Sequence, residues 1–96
     1  MLVKLTEICR NNTLTTEHGY SLREIFINPE HVVMIREEGR LQQLNEEGLL
    51  TNGLDPSHRF TKLTINRGHT GTEIVVIGAP DLVEKSLNSN KQLLRG

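Results

Sequence analysis

The connection between two strand-like segments, residues 60–66 and 72–77, is the feature that most constrains the fold. The first segment, FTKLTIN, alternates between two sets of side chains, and the second, TEIVVI, is the most apolar run in the chain. Only the five residues RGHTG join them. Parallel strands need a crossover of about a dozen residues or more, so this short connection predicts antiparallel neighbours.

The same connection contains two glycines, Gly68 and Gly71, beside Arg67, which raises the alternative of a phosphate-binding loop. Such a loop opens a helix, because the first N–H groups of the helix bind the phosphate. Here a strand-like segment follows, and no Gly-Lys-Ser/Thr sequence is present. We therefore predict a hairpin turn, in which glycine adopts backbone conformations that other residues avoid.

Three further segments are predicted to form strands. Residues 2–8 and 22–28 distribute their side chains over two faces and are rich in β-branched residues. Pro29 then ends the second segment, because proline has no N–H for a strand ladder. Residues 31–37 resume as a third strand.

One helix is predicted at residues 80–88. Pro80 suits a first helical turn, Asp81 suits the positive end of the helix dipole, and a narrow apolar stripe follows. The sequence thus predicts a mainly β (α+β) fold. Its five strands form a mostly antiparallel, strongly bent sheet or a small open barrel, with one C-terminal helix closing one side.

The length of 96 residues corresponds to one domain. We place this domain at residues 1–88, with a long loop insert at 38–58 and a tail at 89–96. The insert is polar and rich in turn signals, and a loop this long in a small domain is functional, mobile or held against a neighbour.

The location of the protein follows from its cysteine content and its apolar runs. The single cysteine, Cys9, has no internal disulfide partner and fits a reducing compartment. The N-terminal residues lack the features of a signal peptide, and no apolar run approaches the roughly 18 residues of a membrane span. We predict a cytoplasmic protein without a membrane partner.

No pattern in the chain predicts a catalytic, cofactor or metal site. The histidines are scattered, without the close spacing of a helical zinc site: His18, His31, His58 and His69. Adjacent glutamates such as Glu37 and Glu38 point to opposite faces of a strand and do not form a facing pair. We predict a protein that is not an enzyme and binds no cofactor. A metal site composed across subunits stays open as an alternative.

Two predicted strands, HVVMI and EIVVI, are apolar on both faces. An antiparallel sheet commonly has one solvated face, so two apolar faces indicate a closed barrel or an interface. Only 35% of the residues are apolar, and self-association would supplement so small a core. We predict a homo-oligomer. The candidate assembly residues are Val32, Val33, Met34, Ile35, Ile74, Val75, Val76 and Ile77.

Residues 38–58 are the second candidate interaction segment. Leucines spaced along this polar insert could serve as apolar anchors for a protein partner, with order gained on binding. The candidate anchors are Leu41, Leu44, Leu49, Leu50 and Leu54.

A basic surface is the rival hypothesis. The candidate contacts to nucleic acid, or to an acidic partner, are Arg36, Arg40, Arg59, Lys62, Arg67 and His69. Against it, the net charge is −1, and aromatic residues that stack on bases make up only 3% of the chain. Nucleic acid is therefore a partner that the sequence does not favour.

The quoted segments resemble the small FlbD-type flagellar accessory proteins. The resemblance rests on LVKLTEI, IFINPEHVVMIRE, TKLTIN and TEIVVIGAPDLVEKSL, over about two thirds of the chain. It implies a short β-rich protein with a closing helix, and it implies no reaction. The insert at 38–58 and the RGHTGT turn are larger than the turns of that family. The chain is also similar to small bacterial and tailed-phage proteins of unassigned function, and more faintly to CsrA-type RNA regulators.

These observations predict a non-enzymatic binding and assembly module that acts through protein–protein contacts and self-association. The alternative is a nucleic-acid-binding, RNA-directed regulatory protein of bacterial or phage origin. The two predicted functions differ in how salt affects binding affinity, because phosphate contacts weaken steeply with ionic strength and apolar contacts do not.

Overall fold

The computed structural model describes residues 2–10, 20–48, 50, 54–68 and 70–95. Within these residues five strands form one open antiparallel sheet in the order β2-β1-β5-β4-β3. The predicted mainly β fold with a C-terminal helix is confirmed. The elements are β1 (Val3–Arg10), β2 (Tyr20–Ile27), β3 (Val32–Glu37), α1 (Gly39–Glu46), β4 (Phe60–Arg67), β5 (Thr70–Ile77) and α2 (Pro80–Arg95), with a 3-10 helix at Pro29–His31.

The sheet is bent because its two edge strands, β2 and β3, are joined by only four residues. The N–H of His31 donates to the carbonyl of Asn28 at 3.0 Å, so this connection is a tight turn. It keeps Ile27 and Val32 within about 15 Å of each other. A flat five-stranded sheet would separate its edges by about 19 Å, since neighbouring strands lie about 4.8 Å apart. The sheet therefore curves to bring its edges together at this end.

One face of the sheet, called here the inner face, is covered by α2. Val83 and Leu87 lie four residues apart on the helix and pack on strand residues that register places on the same side. This inner cluster contains Val3, Leu5, Leu63, Val76, Val83 and Leu87, surrounded by half-buried isoleucines and Val32.

The opposite, outer face is covered in part by α1 and by the segment that follows it. Leu41 from α1 and Leu50 bury themselves against Ile8 and Phe60. The first half of the segment predicted as a long loop insert at 38–58 forms a helix of 8 residues. A short helix gains most of its stability from packing, and the buried Leu41 supplies that contact.

Asn45 fastens α1 to the chain that returns toward β4. Its side chain is buried, and its Nδ2 donates to the carbonyl oxygen of Asp55 at 2.8 Å. The Asp55 carboxylate in turn accepts the N–H of Ser57 at 2.8 Å, and hydrogen bonds from Ser57 lower the pKa of Asp55. Residues 55–58 are therefore held in a defined turn.

Replacement of Asn45 by alanine is expected to lower the free energy of unfolding by about 1–2 kcal/mol, because a buried hydrogen bond is lost. Urea denaturation followed by circular dichroism measures the change. Gln42→Ala on the same helix is the control, since the contact between Gln42 Nε2 and Glu46 Oε2 is exposed and 3.5 Å long. Equal losses for both variants would contradict the role given to Asn45.

The C-terminal helix is longer than predicted. It runs over 16 residues to Arg95, past the predicted end at residue 88 and through most of the predicted tail. Between residues 88 and 95 the chain contains neither proline nor glycine, so nothing in the backbone chemistry stops the helix before Gly96.

The connection between β4 and β5 is a hairpin, as predicted. The strands extend beyond their predicted ends, so Asn66 pairs with Gly71 and Arg67 with Thr70. Gly68 has φ 77°, a left-handed conformation that favours glycine. The residues after Gly71 belong to β5, and the alternative of a phosphate-binding loop is dismissed on that ground.

Candidate assembly surface

The part of the outer face that lies on β2 carries exposed apolar side chains. Leu22 is 41% exposed and Phe26 is 61% exposed. Strand register places both on the outer face, opposite Ile8 and Lys4 of β1. We call Leu22 and Phe26 the β2 patch. Two large apolar side chains on a strand at the edge of a sheet are typical of a contact surface.

Glu24 lies between the two residues of the β2 patch and points to the same face. Its Oε2 is 3.1 Å from Nζ of Lys4 on the neighbouring strand. On the inner face Arg23 donates from Nε to Oε1 of Glu7 at 3.0 Å. The charges of β2 are thus neutralised by β1, and β2 presents no net charge to a partner.

Six of the eight predicted assembly residues pack within the domain in the structure. β5 is apolar on both faces and is covered on both, by the inner cluster with α2 and by the outer cluster with α1, whereas β3 contributes to the inner cluster. Val76 is fully buried and belongs to the inner cluster, so it is not available for assembly. The half-buried residues pack against the two clusters in the same way: Val32, Ile35, Ile74, Val75 and Ile77.

Two of the predicted assembly residues remain exposed on the other edge strand. Val33 is 60% exposed and Met34 is 47% exposed. They lie where the pairing between β3 and β4 shifts register between Val32 and Met34. Such an irregularity bends an edge strand and interrupts its ladder.

Leu22 and Phe26 were missed as assembly candidates, although the sequence contained the signal. Leu22, Glu24 and Phe26 alternate along one face of a predicted strand. What the sequence did not contain was the position of that strand at an edge, where no helix covers it.

The predicted anchors in the 38–58 segment are mostly internal. Leu41 and Leu50 are buried, and Leu44 and Leu54 pack against the same outer cluster. Leu49 lies outside the described residues. Because these side chains contribute to the folded core, they are not free to dock into a separate partner.

The predicted basic surface divides between the two faces. Arg36 and Lys62 are cross-strand neighbours on the outer face, and with Arg40 they lie near a cavity of about 400 Å³ that Lys62 and Arg40 line. Arg36 is 3.4 Å from Glu73, and Lys62 is 3.3 Å from Glu38.

Among the other predicted cations, Arg59 does not join this group. Arg59 forms an ion pair with Glu37, which strand register places toward the inner face. For Arg67 only the backbone is described, at the end of β4, and His69 lies outside the described residues. Of the predicted cations, three gather on the outer face, and two of those three have a carboxylate partner.

The inner face contains an open cavity of about 420 Å³ beside β2. Four isoleucines from β2, β4 and β5 contribute to its wall: Ile25, Ile27, Ile65 and Ile74. Glu7 and Arg23 stand together at the wall, already paired with each other, and Asn28, His31 and Thr72 add further polar groups. The wall of the cavity is therefore of mixed apolar and polar character.

Titratable residues do not assemble into a metal site in the part of the chain that the structure describes. No group of three or more His, Cys, Asp or Glu side chains occurs there. His31 and His58 lie apart, in the 3-10 helix and in the turn before β4, while His18 lies outside the described residues.

Cys9 lies half-buried at the end of β1, and burial together with the Glu7 side chain raises the pKa of its thiol. Since the thiolate is the reactive form, we expect iodoacetamide to alkylate Cys9 more slowly near pH 8 than in the urea-unfolded chain. Glu7→Gln should accelerate alkylation, because it removes the carboxylate that raises this pKa. Glu24→Gln, on the opposite face, is the control. An unchanged rate in Glu7→Gln would contradict this account.

No helix among the described residues has both the length and the apolar character to span a bilayer. No protein-family model, no curated protein and no solved structure matches this chain.

Proposed function

We propose that this protein is a non-enzymatic binding module that acts through protein–protein contacts and associates with itself. The observation that carries the proposal is the β2 patch, Leu22 and Phe26, which is exposed on a strand that lies at the edge of the sheet within the described part of the chain. Exposed strand edges pair readily with other chains, and natural proteins usually protect them. An edge that carries exposed apolar side chains is suited to association.

The chemistry of the patch supports a protein partner. Aromatic side chains are enriched at the centres of protein interfaces, where they supply much of the binding energy. The chain contains two phenylalanines, and Phe60 is fully buried whereas Phe26 is mostly exposed. The exposed one is therefore the side chain that gains most from contact with a partner.

Light scattering of the purified chain, compared with its Phe26→Ser variant, tests the proposal. We expect the wild type to have a mass above one chain and the variant to shift toward one chain. Leu82→Ser is the matched control, because Leu82 is 57% exposed on α2, away from the sheet edge. A wild-type mass of one chain at every concentration would overturn the proposed self-association.

The nucleic-acid alternative is supported less well, because Arg36 and Lys62 are each beside a glutamate. Binding to phosphates requires a local excess of positive charge. Titration of a labelled single-stranded RNA at low salt distinguishes the two functions. RNA binding that weakens steeply with added salt, and that Lys62→Ala abolishes, would favour the nucleic-acid alternative.

A further inference from the structure

We infer that the partner of β2 is the β2 strand of a second copy, paired antiparallel about a twofold axis through Glu24. This inference rests on the proposed self-association and adds the surface, the symmetry and the register. The axis joins two sheets into one continuous ten-stranded sheet across two β2 strands. Three features of the sheet support this pairing: the difference between its two edges, the side chains that meet across the axis, and the charges at the axis.

The first feature is the difference between the two sheet edges. β2 pairs with β1 over eight consecutive residue pairs without a shift in register, and it contains no proline. β3 is shorter, begins directly after the 3-10 helix that starts at Pro29, and shifts register between Val32 and Met34. Bulges and short length are among the devices that protect an edge from pairing. The edge at β3 has both and the edge at β2 has neither, whereas Pro29 lies between the two strands and does not distinguish them.

The second feature is the set of side chains that meet across the axis. Directly opposite residues of an antiparallel pair lie on the same face. An axis through Glu24 places Leu22 opposite Phe26 of the second copy, and by symmetry Phe26 opposite Leu22 of the second copy. Each exposed apolar side chain of the β2 patch is then covered by an apolar side chain of the second copy, so that two Leu–Phe pairs form. Aromatic–aliphatic cross-strand pairs of this kind stabilise antiparallel sheets.

The third feature is the set of charges at the axis. The two Glu24 carboxylates face each other there, and each has Nζ of Lys4 of its own chain at 3.1 Å. The two carboxylates and the two ammonium groups together carry no net charge. An axis through Arg23 would instead place Leu22 opposite Glu24 and leave half of the β2 patch against a carboxylate. The axis through Glu24 is therefore the register that the side chains favour.

Disulfide cross-linking of single-cysteine variants tests the register, in a chain whose own cysteine is removed by Cys9→Ser. In Glu24→Cys the two thiols meet at the axis, where opposite Cα atoms lie about 4.5–5.5 Å apart, within the range of a disulfide. In Arg23→Cys the symmetry-related positions are diagonal, about 8 Å apart, and in Ser21→Cys they are about 20 Å apart. All three positions are exposed, so the substitutions leave the core intact.

After mild oxidation, non-reducing electrophoresis should show a cross-linked dimer several-fold more abundant in Glu24→Cys than in the other two variants. If light scattering gives a multimer but Glu24→Cys does not cross-link preferentially, the inferred register is wrong and the proposed self-association stands. Preferential cross-linking of Arg23→Cys would likewise replace this register by another. If the wild type has the mass of one chain and no variant cross-links, both proposals fail.

Discussion

Phe60→Ala is expected to lower the free energy of unfolding by about 3–5 kcal/mol, the usual cost of truncating a buried phenylalanine. Phe60 is fully buried and is the residue on which the outer cluster converges, in contact range of Leu41 and Leu50. The variant loses the transfer free energy of the ring and leaves a cavity between α1 and the sheet. Small domains have a total stability of about 5–15 kcal/mol, so the loss is a large fraction of it.

Guanidinium denaturation followed by circular dichroism measures the effect, and the matched control is Phe26→Ala. Since Phe26 is exposed, its truncation should change stability by less than about 0.5 kcal/mol when the protein is dilute enough to be a single chain. At higher protein concentration association stabilises the folded wild type, and the wild type and Phe26→Ala then differ in their free energy of unfolding. Equal losses of unfolding free energy for Phe60→Ala and Phe26→Ala in dilute solution would contradict the difference in burial between the two side chains.

The two phenylalanines also indicate what the sequence could and could not establish. Each lies in a strand segment with alternating side chains, and alternation correctly assigned these segments as strands. The short RGHTG connection correctly predicted that β4 and β5 are antiparallel neighbours. Alternation states which residues share a face. It does not state whether a helix from elsewhere in the chain covers that face, because that depends on tertiary packing.

The same limit applies to the assembly residues predicted on β3 and β5. Val76 lies in the most apolar run of the chain, and its apolar neighbours on both sides predicted an interface. The prediction assumed that one helix covers one face, whereas α1 covers part of the second. The sequence of α1, GRLQQLNE, is mostly polar, and tertiary contacts favour the helix over a loop, namely the burial of Leu41 and the buried hydrogen bond of Asn45.

The arrangement of the two helices leaves the edges as the places where the sheet can still form contacts. With α2 on the inner face and α1 on part of the outer face, the sheet can still contact a partner through the exposed part of the outer face and through its strand edges. A module built in this way would bind by strand pairing, with backbone hydrogen bonds supplying affinity and the side chains of the β2 patch supplying register.

Gly78→Ala is expected to lower the free energy of unfolding by about 1–3 kcal/mol, the cost of a residue held in a strained backbone conformation. Gly78 has φ 126°, and a Cβ there would lie 3.3 Å from Cγ2 of Val83. The backbone cannot relax easily, because two hydrogen bonds hold it. Its N–H donates to the carbonyl of Arg59 at 2.7 Å, and its carbonyl accepts the hydroxyl of Thr61 at 2.7 Å.

Gly71→Ala is the matched control for this glycine. Its φ lies outside the left-handed region, and a Cβ there would have its nearest neighbour, the carbonyl oxygen of Ile65, at 3.9 Å, an ordinary contact. Alanine in the strand should therefore leave stability unchanged or raise it by roughly 0.5–1 kcal/mol, because glycine loses more backbone entropy on folding. Thermal and chemical denaturation of the pair measure the difference. If both variants unfold alike, Gly78 does not fix the turn that carries α2 from β5 onto the inner face.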